Sequence, residues 1–152
     1  MMIKLIASDL DGTLLQNDAQ ALTPRAIDLI SKLCDAGIHF VSASGRQYDN
    51  QKRVFDPLKN RISFIAENGS ICMHQGKVIS RATINDDLAA RILKEIKKQN
   101  HFEIVVSRED TCFIDNNVPE FVNHFVTAMH TPPQIVDDIQ KVAGPITTLA
   151  LC

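Results

Sequence analysis

Residues 3 to 15, IKLIASDLDGTLL, form an apolar run that ends abruptly in two carboxylates one residue apart, followed by glycine and threonine. Ile3, Leu5, Ile6 and Ala7 are interrupted only by Lys4. A near-continuous apolar run of this kind predicts a parallel strand covered on both faces rather than a half-exposed one. In open parallel sheets ligands bind beyond the carboxyl ends of the strands, and Asp9 and Asp11 fall at that end.

Two acids so close repel each other when both are ionised, unless a cation or a shared proton intervenes. A hard divalent ion such as Mg²⁺ suits them, because it takes oxygen ligands, keeps several waters and is commonly held by one or two carboxylates together with substrate phosphate. Gly12 lets backbone approach a ligand without a Cβ in the way, and Thr13 offers a hydroxyl and an amide to an oxyanion. The chemistry suggested is phosphoryl transfer, with one carboxylate attacking phosphorus and the other carrying a proton to and from the leaving oxygen.

Thr23-Pro24 predicts a helix start, with Ala26, Ile27, Ile30, Leu33 and Cys34 at helical spacing and Gly37 placed to end it. Residues 38 to 43 (IHFVSA) form the next strand, so the order is βαβ with strand two parallel to strand one. Strand two also ends in small polar residues, SASGR, which bring Ser44, Gly45 and Arg46 to the same edge as Asp9. Ser44 can donate to a phosphate oxygen, Gly45 permits close approach, and a helix beginning near Arg46 or Gln47 aims its N-terminus at the anion.

DLDGTLL followed one βαβ unit later by SGR resembles the first two motifs of the haloacid dehalogenase superfamily of aspartyl-phosphate phosphatases and phosphotransferases. The resemblance implies an α/β fold, a Rossmann-like core with a parallel sheet. It also implies Asp9 as nucleophile, Asp11 as acid/base, both as Mg²⁺ ligands, and Ser44 as the phosphate-binding hydroxyl. A third strand at residues 62 to 66 ends in Glu67-Asn68-Gly69, and a short hairpin follows (ICMH, turn Gln75-Gly76, KVIS). These features resemble the Cof-type subfamily, whose α/β cap of type IIB is inserted after the third core strand. Asn68 is then either a substrate contact or a turn residue ahead of Gly69.

The remaining composition excludes several classes. The 152 residues suit one good domain or two small ones, and 45% hydrophobic content is that of a soluble globular protein. Net charge is −2 with no basic block, so neither nucleic acid nor an anionic membrane is expected as a partner. No apolar run approaches a membrane span and no signal peptide is seen at the start, which predicts a cytoplasmic protein. Cys34, Cys72, Cys112 and Cys152 lack metal-ligand or CxxC spacing, and His39, His74, His124 and His130 are read as ordinary structural residues.

The domain division expected is residues 1–80 for the N-terminal half of the core and 81–152 for the first half of the cap. In the second part the pattern predicts a helix over 86–99 with Leu88, Ile92, Leu93 and Ile96 on one face. Strands EIVVS and TCFID follow, joined by a turn at Arg108-Glu109-Asp110, then a helix over 119–129. A break at Pro132-Pro133, a short helix containing Asp137 and Asp138, and a final strand ITTLAL complete it. Lys94, Lys97 and Lys98 read as a solvated helix face.

The resembled family also uses a lysine and a further acidic motif on core strands beyond the cap, and neither role is carried onto this sequence. The sheet is therefore expected to be incomplete, the cap partial and the protein C-terminally truncated. The edge of strand one would then be open to self-association or to a second polypeptide that completes the sheet. The expected function is a Mg²⁺-dependent phosphatase acting on a small phosphorylated metabolite of the sugar phosphate or nucleotide class, impaired by truncation. The alternative is an inactive remnant serving as a phosphate-binding or assembly module. A receiver-type phosphoaspartate switch fits the Asp-x-Asp-Gly-Thr pattern poorly.

Overall fold

A computed structural model describes residues 3–17, 19–99, 101–109, 111–129 and 132–152. The protein divides into two compact units, Met1–Arg81 and Ala82–Cys152.

The first unit is built on a five-stranded sheet: β1 (Leu5–Ser8), β2 (His39–Ala43), β3 (Ser63–Ala66), β4 (Ile71–His74) and β5 (Lys77–Arg81), in that spatial order. β1, β2 and β3 run parallel, with Ser8 beside Ser42 and Ala43 beside Ile65. β4 and β5 are added antiparallel through the Gln75-Gly76 turn, where both residues take positive φ, as a two-residue hairpin of this hand requires.

Helix α1 (Pro24–Asp35) begins as its sequence dictates. The Thr23 hydroxyl accepts from the Ala26 N–H at 3.2 Å and Pro24 occupies the first turn. Gly37, at φ +75°, ends it while the Ile38 N–H donates to the Leu33 carbonyl at 2.9 Å. Helix α2 (Tyr48–Val54) follows β2. Both helices pack on one face of the sheet, where Leu10, Ile30, Phe40, Phe55, Phe64 and Ile71 form the core. Phe64 meets Phe55 and Tyr48 edge-on at 5.9 and 5.4 Å. On the solvent side of α2 the Asp49 carboxylate hydrogen-bonds Lys52 and holds its ammonium pKa above the usual lysine value.

The burial expected of strand one is not realised. Among the described residues β1 lies at the edge of the sheet with β2 as its sole neighbour, and Ile3 and Leu5 are 68% and 55% exposed. Both described helices sit on the face of Ile6 and Phe40. On the opposite face Leu5, Val41, Ile65, Cys72 and Ile79 line an open groove of about 390 Å³. His39 and His74, with ring centroids 5.0 Å apart, meet across Ser63 on this side; the Ser63 hydroxyl lies 3.0 and 2.8 Å from their nitrogens. None of the four cysteines is in a disulfide.

The second unit carries a four-stranded sheet in the order β8-β7-β6-β9, formed by β6 (Ile104–Ser107), β7 (Cys112–Ile114), β8 (Gln134–Ile135) and β9 (Thr148–Leu151). Helices α3 (Asp86–Lys97) and α4 (Pro119–Met129) accompany it. Asn85 caps α3, its carboxamide oxygen accepting from the Asp87 and Leu88 N–H groups.

Three expectations are corrected in this unit. The buried face of α3 is carried by Ala89 and Leu93 with Ile96 packed alongside, whereas Leu88 is 46% exposed. Lys97 is not simply solvated, because it pairs at 2.6 Å with Asp115, a carboxylate only 10% exposed that also accepts from the Ile139 N–H. The short helix is a 3₁₀ turn at Ile139–Lys141 capped by Asp138, and the two-residue β8 precedes it. Asp110, in the expected turn, and His130 lie outside the described residues.

Candidate active site

Parallel register delivers the candidate residues to one edge. Asp9 directly follows β1, Ser44 directly follows β2, and Glu67-Asn68-Gly69 directly follows β3. The residues after Asp9 fold back on themselves. The Gly12 N–H donates to the Leu15 carbonyl at 2.7 Å, and the Leu15 and Thr13 N–H groups donate to the Leu10 carbonyl at 2.7 and 3.3 Å. This tight loop needs Gly12 at φ +76°, which L side chains seldom adopt. The Thr13 amide is thus turned to Leu10, leaving its hydroxyl as the group that can meet an anion.

Asp9 and Asp11 are both exposed, and each is restrained differently. Asp9 Oδ1 accepts from the Leu10 N–H at 2.7 Å. Asp11 is gripped by a guanidinium fork, with Arg46 Nη2 on Oδ1 at 2.6 Å and Arg46 Nε on Oδ2 at 3.0 Å. The remaining Arg46 nitrogen donates to Asn50 Oδ1 at 3.0 Å. A planar bidentate pair fixes orientation as well as charge. It also shows directly that the loops after β1 and β2 meet.

The loop after β2 is braced against β3. The Ser44 N–H donates to the Ile65 carbonyl at 3.0 Å, the Ser44 carbonyl accepts from the Asn68 N–H at 3.3 Å, and Ser44 Oγ accepts from the Arg46 N–H at 3.2 Å. Glu67, Asn68 and Gly69 all have positive φ, at 50°, 55° and 96°. Consecutive left-handed residues cost energy and cluster at functional sites. Gly45 lies against Asn68: a Cβ there would come within 2.9 Å of Asn68 Oδ1. Gly45→Ala is therefore expected to rotate the exposed Asn68 side chain while changing stability by less than about 1 kcal/mol. If Asn68 contacts substrate, Gly45→Ala and Asn68→Ala should raise KM alike and the double variant should add nothing. Steady-state kinetics on the three variants checks this, and additive effects would separate the two residues.

The donor set fits a hard cation in part. Asp9 and Asp11 offer carboxylate oxygens at one edge, but Asp11 is engaged by Arg46. No cluster of three or more His, Cys, Asp or Glu that could hold a metal occurs among the described residues.

Two contributors are not evident from sequence order. Arg46 holds a carboxylate here rather than standing free for phosphate, and Gln51 lies fully buried beneath the loop. A signal for Gln51 does exist, since it precedes Val54 and Phe55 by three and four residues and so lies on their buried face.

Comparison with known proteins bears on the family and the fold. Residues 6–149 match the family model for haloacid dehalogenase-like hydrolases. The protein is 31% identical over 113 residues to the 5-amino-6-(5-phospho-D-ribitylamino)uracil phosphatase YbjI of Escherichia coli, an alignment spanning 74% of this sequence and 42% of that one. It is 28% identical over 131 residues to an HMP-PP phosphatase of Yersinia pestis, spanning 85% and 47%. Among solved structures, BT1666 of Bacteroides thetaiotaomicron, from a study of phosphatases of the same superfamily, superposes with a TM-score of 0.69 at 27% identity, over 92% of this protein and 51% of that one. TM0651 of Thermotoga maritima shares the fold with a TM-score of 0.84 at 24% identity, over 99% and 56%. The 152 residues span a little under half the length of these two curated relatives.

Proposed function

Because the protein belongs to the haloacid dehalogenase-like hydrolases, we propose that its first unit carries the nucleophile half of a Cof-type phosphatase site. Its substrate would be a small phosphorylated metabolite of the sugar phosphate or nucleotide class. The observation that carries this reading is the meeting of the loops after β1 and β2 through the Arg46–Asp11 fork, beside the exposed Asp9. Phosphatase names among the relatives support it.

In the proposed reaction an Asp9 carboxylate oxygen attacks phosphorus, the P–O bond to the leaving group breaks, and an aspartyl phosphate forms. Asp11 protonates the departing oxygen and then takes a proton from the water that hydrolyses the acyl phosphate. Arg46, which engages both Asp11 oxygens, would have to free one of them for each transfer. Ser44, Gly45, Gly12 and the Thr13 hydroxyl cradle the transferred group, and Asn68 contacts substrate. Asp9 and Asp11 are the residues that would hold Mg²⁺, which supplies charge neutralisation to the phosphoryl oxygens when bound. The first unit is proposed as the N-terminal half of the core and the second as the first half of the cap. The cytoplasm is the compartment proposed for the protein, and no helix among the described residues is long and apolar enough to cross a membrane.

The test is hydrolysis of p-nitrophenyl phosphate by the 152-residue protein with and without Mg²⁺. Turnover that needs Mg²⁺ and is lost on chelation supports the phosphatase. Orthophosphate binding without turnover would instead identify a phosphate-binding module.

The open edge of β1 carries a further proposal: the protein self-associates there or accepts a second polypeptide that completes the sheet. An unpaired strand edge flanked by exposed Ile3 and Leu5 is a template for strand addition. Sedimentation velocity is expected to show species heavier than the monomer, and Leu5→Lys should shift them back to it. A wild-type protein that sediments as a monomer at all concentrations would discard the idea.

A further inference from the structure

Gln51 is wholly buried beneath the candidate site, and its amide bridges three separate segments. Its Nε2 donates to the Arg46 carbonyl at 3.0 Å and to the Ile65 carbonyl at 3.1 Å, while its Oε1 accepts from the Ser42 hydroxyl at 2.7 Å. The two carbonyls can only accept, so the NH₂ must face them and the hydroxyl must serve the oxygen. Chemistry thus fixes the orientation of the amide.

Neither carbonyl depends on Gln51 to avoid being orphaned. Arg46 O also accepts from the Glu67 N–H at 3.1 Å, and Ile65 O from the Ser44 N–H at 3.0 Å. An apolar side group would fill this position in the core without the desolvation cost of an amide. What the amide adds is a brace. It ties the backbone just after Ser44 to the end of β3 and to Ser42 on β2.

We propose that Gln51 is a positioning residue that sets the geometry of the Ser44–Arg46 loop, and with it the aim of the Arg46 fork on Asp11. It contacts none of the reacting groups and acts through two backbone carbonyls. The functional half of this inference rests on the phosphoryl-transfer reading above.

The experiment compares wild type, Gln51→Leu, Gln51→Glu and Ser42→Ala, each over all 152 residues. Three quantities are read: amide hydrogen exchange at Ser44 and Glu67 by NMR, orthophosphate affinity in the presence of Mg²⁺, and the pH profile of p-nitrophenyl phosphate hydrolysis. Gln51→Leu should speed exchange at both amides and weaken phosphate binding about 10- to 100-fold, the size expected when a supporting contact is lost and a group shifts by about 1 Å. Gln51→Glu keeps the volume but presents a carboxyl to two carbonyls, so it can donate only when protonated. Its activity should fall as pH rises, in a range where wild type does not change. Ser42→Ala, which leaves both Nε2 bonds in place, should have the smallest effect and serves as the folded control if Gln51→Leu does not fold. Wild-type exchange rates and a wild-type pH profile in Gln51→Glu would overturn the positioning role. A wild-type protein without phosphate affinity or turnover would instead sink the phosphoryl-transfer reading, and exchange at Ser44 and Glu67 would still decide whether Gln51 braces the loop.

Discussion

Asp9→Asn is expected to abolish hydrolysis of p-nitrophenyl phosphate, a fall of about 10⁴-fold or more, the scale seen when the attacking group of a catalytic set is removed. The substitution is close to isosteric. Asp9 Oδ1 accepts from the Leu10 N–H, and an asparagine carbonyl can accept the same bond. The tight loop of residues 10 to 15 should therefore survive, with Gly12 and Leu15 still paired. What disappears is the negative charge and nucleophilicity of the oxygen proposed to attack phosphorus. Thermal melting of the variant should match wild type while turnover is lost, and the Arg46–Asp11 pair should be undisturbed. Activity retained in Asp9→Asn, measured on protein purified in parallel with wild type, would assign the hydrolysis to another site.

Phe64→Ala should cost about 3 to 5 kcal/mol of stability, as large-to-small changes of buried aromatics do. Phe64 is 2% exposed, sits on β3 beside β2, and packs edge-on to both Phe55 and Tyr48. Truncation leaves a cavity between β3 and α2, next to the loops that follow strands two and three. Against a total of about 5 to 15 kcal/mol for a small protein, the loss is large enough to leave part of the population unfolded near physiological temperature. Chemical denaturation followed by circular dichroism checks it. A shift below about 1 kcal/mol would mean that the aromatic cluster of Phe40, Phe55 and Phe64 does not carry the core.

The motif-bearing half of the fold is legible in the sequence because its signals are local. An apolar run ending in Asp-x-Asp-Gly-Thr, a capped helix and a second strand ending in Ser-Gly-Arg each declare themselves within a dozen residues. Periodicity reports what β1 can bury and not how many strands flank it, so its open edge is expected from the family resemblance and not from the apolar pattern. Arg46 reads as a phosphate ligand because sequence order cannot show that its fork reaches Asp11, 35 residues away. Gln51 is hidden for the same reason: its partners Ser42, Arg46 and Ile65 lie on different segments. β8, with two residues, is too short to show an alternating pattern, and its pairing with β7 decides its identity.

The strand order of the first unit bears on how the protein comes into being. Each strand in β1-β2-β3-β4-β5 pairs with the one that follows it in sequence, so no later segment must be threaded between earlier ones. The hairpins β3–β4 and β4–β5 close short loops, whereas the parallel pairs β1–β2 and β2–β3 close long helical crossovers and form more slowly. On the ribosome, Asp9, Ser44 and Asn68 could come together once the first 70 or so residues have emerged, at the usual ~5 to 20 residues per second. If the proposed phosphate site forms at that point, a phosphate ion bound there would act as a folding ligand, stabilising the nascent sheet by mass action while the second unit is still being synthesised.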